Sequence, residues 1–127
     1  MDAAHDPGVS AIALLESELI VRDFIQLVND GCIDEMSPFL APDVVYKSSA
    51  SHGVHGRRAV QAMWEEILAT FEWVAIELVE VAVNERLVLA EQQLPLKLPG
   101  QRPQQKLGLA SFRIRDFQIA TWHQLPS

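Results

Sequence analysis

From Ile12 to Asp30 apolar positions recur at helical spacing. Ile20, Phe24, Leu27 and Val28 stand at i, i+4, i+7 and i+8, and Val21 and Ile25 widen the stripe. Asn29-Asp30-Gly31 is a stop signal, because Gly31 can take the left-handed cap conformation. A short helix is expected from Ile33 to Phe39, ending before Pro42. Asp43–Ser48 reads as a strand, and 49–55 as a small, polar loop. Gly56 opens the clearest helix, with Val60, Met63, Trp64, Ile67, Leu68 and Phe71 on one face. Beyond Phe71 the period falls to two. Val74, Ile76 and Leu78 alternate, and Val79, Val81 and Val83 continue in the opposite phase, which predicts a bulge near Leu78-Val79. After a turn at Asn84-Glu85, a long strand over 86–98 places Val88, Ala90, Gln92, Leu94 and Leu96 on one face. Strands over 106–115 and 118–124 follow, joined tightly through Asp116-Phe117.

Helices followed by a run of strands predict an α+β domain. Its curved mixed or antiparallel sheet should wrap around two long and one short N-terminal helices. Residues 1–11 are expected to be a flexible tail, and 12–127 a single domain. The chain's 127 residues suit one domain, and a hydrophobic share of 49% supplies a core. A bent sheet closed on one side by helices encloses a cone, and an incompletely filled cone is a ligand pocket.

Charge narrows the function classes. The formal net charge is −7, which argues against nucleic acid as the main partner, because such binding depends on neutralising phosphates. The distribution is uneven: residues 1–91 carry −11 and residues 92–127 carry +4, the latter expected on a solvated strand face. No apolar stretch approaches the roughly 20 residues of a membrane helix, so no membrane partner is expected. The start, MDAAHDPGVS, lacks the basic residues and apolar block of a leader, so the expected location is cytoplasmic. The single cysteine, Cys32, excludes an internal disulfide and a multi-cysteine zinc site, and no metal or cofactor is expected.

Five segments carry a family resemblance. They are Val21-Arg22-Asp23-Phe24-Ile25, 39–46 (FLAPDVVY), Gly56-Arg57-Arg58-Ala59-Val60, Val88-Leu89-Ala90-Glu91, and 117–122 (FQIATW). Together they resemble the nuclear-transport-factor-2-like (NTF2-like, SnoaL-like or cystatin-like) cone over roughly residues 12–124. Within it they resemble the limonene-1,2-epoxide hydrolase family. The resemblance implies a one-step opening of an epoxide by water. One carboxylate acts as base on the water, a second as acid to the epoxide oxygen, and an arginine holds both. A tyrosine, with an asparagine two residues on, places the water. Such chemistry needs two carboxylates with separated pKa values and a cation to poise them.

This chain departs from that pattern. Aligned on Val88-Leu89-Ala90-Glu91, the Arg-x-Asp positions fall on Gln92 and Leu94. Aligned on Trp122, the last aspartate falls on Gln124. Tyr46 is retained, and Ser48 replaces the asparagine. Glutamine exchanges no proton near neutral pH and leucine none at all, so the push–pull route is expected to be lost. The resemblance then implies a pocket lined by Tyr46, Ser48, Met63, Trp64, Gln92, Leu94, Trp122 and Gln124. It would hold a small apolar or amphipathic molecule. A buried amide needs partners, so Gln92 and Gln124 are expected to bond each other or Tyr46, or to meet a polar ligand.

Two other readings stand beside this one. Ketosteroid isomerases of the same fold use a carboxylate near the loop before the second long helix, where 47–52 (KSSASH) holds none. Dehydratase-like and cyclase-like members use His and Asp inside the cone. An isomerase, cyclase or dehydratase would here use His52 or His55 with Tyr46 as weak catalytic candidates. A dimeric interaction domain would use the outer sheet face, where Leu87, Leu89 and Val79 are apolar, and a homodimer is expected.

Overall fold

The computed structural model describes residues 7–48 and 53–126. Helix α1 (Pro7–Asn29) is followed by a 3-10 helix (Asp34–Phe39), strand β1 (Leu40–Ser48), the short β2 (Val54–His55) and helix α2 (Arg57–Thr70). Then come β3 (Trp73–Val74), β4 (Glu77–Asn84), β5 (Leu87–Lys97), β6 (Gln104–Arg115) and β7 (Gln118–Pro126). The sheet runs β2-β1-β7-β6-β5-β3, with β4 also paired to β5. The β1–β7 pair is parallel and the others are antiparallel, so the sheet is mixed.

Helix α1 starts at Pro7, five residues before the expected Ile12. A proline costs little there, because the first-turn N–H has no helical partner anyway. Residues 1–6 of the expected tail lie outside the described residues. The helix stops where the sequence says it should: Gly31 has φ 73°, and Gly31 and Cys32 donate to the carbonyls of Val28 and Leu27.

The expected strand through Val74 and Val83 is broken at Ala75-Ile76. The cause is Asn29, whose amide N donates to the Ile76 carbonyl at 2.8 Å and whose Oδ1 accepts the Ile76 N–H at 2.8 Å. A side chain here does the work of a neighbouring strand and ties the end of α1 to the sheet. The predicted bulge is present, with the β4–β5 register shifting between Leu78 and Glu80. Strand β2 falls within the expected loop. It is only two residues long, too short for alternation to reveal.

Helix α2 is fixed at its start. Gly56 has φ 95°, a conformation that L side chains avoid, and its N–H reaches the Val44 carbonyl at 2.7 Å. Arg57 donates through Nε and Nη2 to the Leu40 carbonyl at 3.0 and 2.8 Å. The core lies between the helices and the concave sheet face. Val21, Phe24, Ile25 and Val28 from α1 and Val60 and Trp64 from α2 pack on Val88, Phe112, Ile119 and Trp122. Among the described residues no helix is long and apolar enough to cross a membrane.

Candidate functional site

The interior is built in rungs, because residues paired across neighbouring strands share a face. One rung runs Val88–Phe112–Trp122–Tyr46 across β5, β6, β7 and β1. The next is Ala90–Ala110–Gln124–Ser48. Beyond it stands Gln92 opposite Gly108. The face therefore grades from large aromatic side chains, through a rung of small ones with Gln124, to Gln92.

Trp122 is the centre of the aromatic rung. It is fully buried, and its ring lies parallel to Trp64 at 5.2 Å and 4°. Phe24 and Tyr46 meet it edge-on at 5.1 and 4.9 Å, and Phe112 lies beside it at 5.8 Å. Aromatic pairs favour such offset and edge-to-face contacts. Trp64 and Trp122, expected along a pocket wall, are packed ring to ring in the core. Met63 is half-buried; it touches the core and lines an outer pocket with Val54 and Glu66.

The sites expected for the charged triad do face inward. Gln92 is 0% exposed, and Gln124 and Leu94 are each 8% exposed. The expected amide pairing does not form. Neither Oε1 nor Nε2 of Gln92 has a hydrogen-bond partner, and Oε1 of Gln124 has none either. The indole N–H groups of Trp64 and Trp122 are also buried and unpartnered. The reason is positional. Gln92 and Gln124 stand two strands apart, about 10 Å laterally, with β6 between them and one rung of offset. A Cβ built on Gly108 would lie 3.6 Å from Gln92 Nε2, 3.4 Å from Leu94 Cδ1 and 3.1 Å from the Leu125 carbonyl. The tight approach at Gly108 is that of the Leu125 carbonyl, while Gln92 and Leu94 would meet a Cβ at ordinary contact distance. Sequence reasoning passed over it, although a glycine inside a strand is the signal for a close approach.

Tyr46 faces the cone and is 7% exposed, and burial pushes its phenol up to about 12. Ser48 is half-buried at the end of β1. His55 is exposed and pairs with Val45, so it lies on the sheet face opposite Tyr46. It borders an open groove of about 1010 Å³ on the outer surface, with Ile33, Arg57 and Arg58. His52 lies outside the described residues. None of the described pockets is lined by Gln92, Leu94, Trp122 or Gln124. The buried polar residues described, Ser17, Gln92 and Gln124, are all neutral.

A family model for the SnoaL-like domain matches residues 21–122. The chain belongs to the SnoaL-like family. Among solved structures, this SnoaL-like chain is similar to an LEH-like epoxide hydrolase of M. tuberculosis. The two are 18% identical over 90% of this chain and 84% of that one, with a TM-score of 0.79. It is also similar to SalBIII, an epoxide hydrolase/cyclase-like enzyme of pyran ring formation in salinomycin. Here identity is 13% over 89% and 92% of the chains, with a TM-score of 0.80. A de novo designed protein with a curved β-sheet shares 18% identity over 88% and 85%, with a TM-score of 0.70. No curated protein matches the sequence significantly. At these identities the likeness shows the NTF2-like cone, which a designed chain shares with natural enzymes; chemistry must come from the side chains.

Two outcomes follow. Replacing Gln92 by the similarly sized Met removes two orphaned polar atoms and fills the same volume. Gln92→Met should raise the unfolding free energy of the ligand-free protein by about 1–3 kcal/mol, read by urea denaturation; a loss of stability would mean that the amide is satisfied. Tyr46 is the sole tyrosine, so phenolate absorbance reports it alone. It should ionise near pH 12 rather than 10. A raised folded pKa adds stability that is fully present below the unfolded value of about 10. That stability is lost as pH rises towards 12. Tyr46→Phe should flatten this alkaline fall.

Proposed function

We propose that this SnoaL-like chain binds a small, mostly apolar molecule, without opening epoxides by the push–pull route. One observation carries the reading: Gln92 is fully buried with both amide atoms unpartnered. Leaving a buried donor or acceptor unpaired costs about 1–3 kcal/mol, and native interiors pair nearly all such groups. An amide kept at that cost on the inward face of β5 is accounted for by a guest that completes its hydrogen bonds. The neighbouring Ala90, Ala110 and Gly108 add little bulk on this face. Loss of the hydrolase route is supported by Gln92, Leu94 and Gln124 at the three positions where the resemblance requires an arginine and two aspartates. The isomerase or cyclase reading receives less support, since His55 lies on the face away from Tyr46. Purified protein given limonene oxide or styrene oxide should show no hydrolysis above the buffer rate. Turnover abolished by Gln124→Ala would overturn the assignment.

The outer sheet face supports a second, compatible reading, a homodimer. Val79, Leu89, Leu107, Leu109 and Leu125 are 48–60% exposed there. Leu109 pairs with Leu125, and Leu89 and Leu109 border one shallow pocket, so these side chains form a patch rather than isolated residues. Apolar patches of that kind mark interfaces. Leu87, expected in the patch, is half-buried. Light scattering at micromolar concentration should give twice the chain mass, and Leu109→Glu should halve it.

A further inference from the structure

We infer that two copies meet through the outer sheet face about a two-fold axis that runs along the strands between β6 and β7, so that Lys47 of each copy lies in a hollow of the other. The inference rests on the homodimer reading above and specifies how the copies are oriented. Pairing across strands arranges the outward side chains in rows. One row is Ala82–Leu89–Ser111–His123–Lys47, across β4, β5, β6, β7 and β1. The next is Glu80–Glu91–Leu109–Leu125. The carboxylates therefore stand on the β4 side of the leucines and Lys47 on the β1 side. Glu80 and Glu91 are exposed and directly opposite each other, a like-charge arrangement that destabilises a sheet. Neither forms an ion pair among the described residues, and neither does Lys47. Beside the two carboxylates lies a hollow of about 330 Å³, with Ala82, Leu89 and Leu109 also in its lining. An apolar floor with an acidic rim suits a lysine, whose methylene stem covers apolar surface while its ammonium stays at a polar edge. Charge also decides the direction of the axis. A two-fold along the strands exchanges the two sides of the face. Set between β6 and β7, it puts Leu109 over the partner's Leu125, and the partner's Lys47 over Leu89, one row from Glu80 and Glu91. Symmetry repeats each contact. A two-fold across the strands would lay carboxylates over the acidic side and keep Lys47 three strand spacings, about 14 Å, from the hollow. Two sheets packed face to face commonly keep their strands within about 30° of each other, as the first arrangement requires.

The test is analytical ultracentrifugation of the full chain, reading the dimer dissociation constant. Lys47→Glu and Glu91→Lys should each weaken the wild-type dimer at least about tenfold, since each reversal acts at two symmetric contacts. Both changes in one chain should recover most of that loss. The recovery cannot arise inside one copy, where Lys47 and Glu91 stand three strands apart, about 14 Å. Lys47→Met keeps the stem and removes the charge, so its dimer should lose most of the wild type's salt dependence. A dimer untouched by the single reversals, or not rescued by the pair, overturns this orientation and leaves the homodimer standing. A wild-type monomer at micromolar concentration overturns both. If a reversal fails to fold, Lys47→Met decides: affinity and salt dependence equal to the wild type overturn the inference.

Discussion

Trp122 is the contact on which the rest depends. It is the one side chain at which both helices and the sheet meet ring to ring: Phe24 from α1, Trp64 from α2, Tyr46 from β1 and Phe112 from β6. With the Trp122 rung filled by rings, the small side chains of the inner face fall on the neighbouring Ala90–Ala110–Gln124–Ser48 rung. The aromatic cluster ties both long helices to the sheet.

Helix and strand identities were legible in the sequence wherever a long pattern governed them. The stripe around Phe24, the stripe from Val60 to Ile67 and the alternation from Val88 to Leu96 became buried faces. Bulge and cap were legible too, because a phase slip at Leu78-Val79 and a glycine at 31 each have one structural meaning. What escaped depended on long-range partners. Nothing near Ile76 announces that Asn29 will take its backbone hydrogen bonds, and a two-residue strand such as β2 exists only because β1 lies beside it.

The candidate site was legible in part for the same reason. Alternation alone turned Gln92, Leu94 and Gln124 inward. It could not say whether two inward amides meet, since that depends on strand order. The order places β6 between them, and the pairing fails. The same geometry explains why His55 failed to join Tyr46: a β2 residue opposite Val45 must share Val45's face. Gly108 acquires its meaning only when β7 is laid against β6 and the Leu125 carbonyl comes to rest beside it.

The charge distribution and the orphaned amides are two sides of one constraint. Of 17 acidic residues in the chain, none is among the buried polar residues described. An interior that holds two carboxylates and an arginine stabilises them against one another and keeps them dry only at a desolvation cost. Gln92, Leu94 and Gln124 carry no charge and incur no such cost. Glutamines keep hydrogen-bonding capacity where leucines would have made a simpler and more stable core. On the function proposed above, their retention at two of the three positions belongs to a cone without the push–pull reaction but with a guest. An amide left unpaired in the core costs more than a leucine of similar volume would, so the two glutamines are where that reading stands or falls.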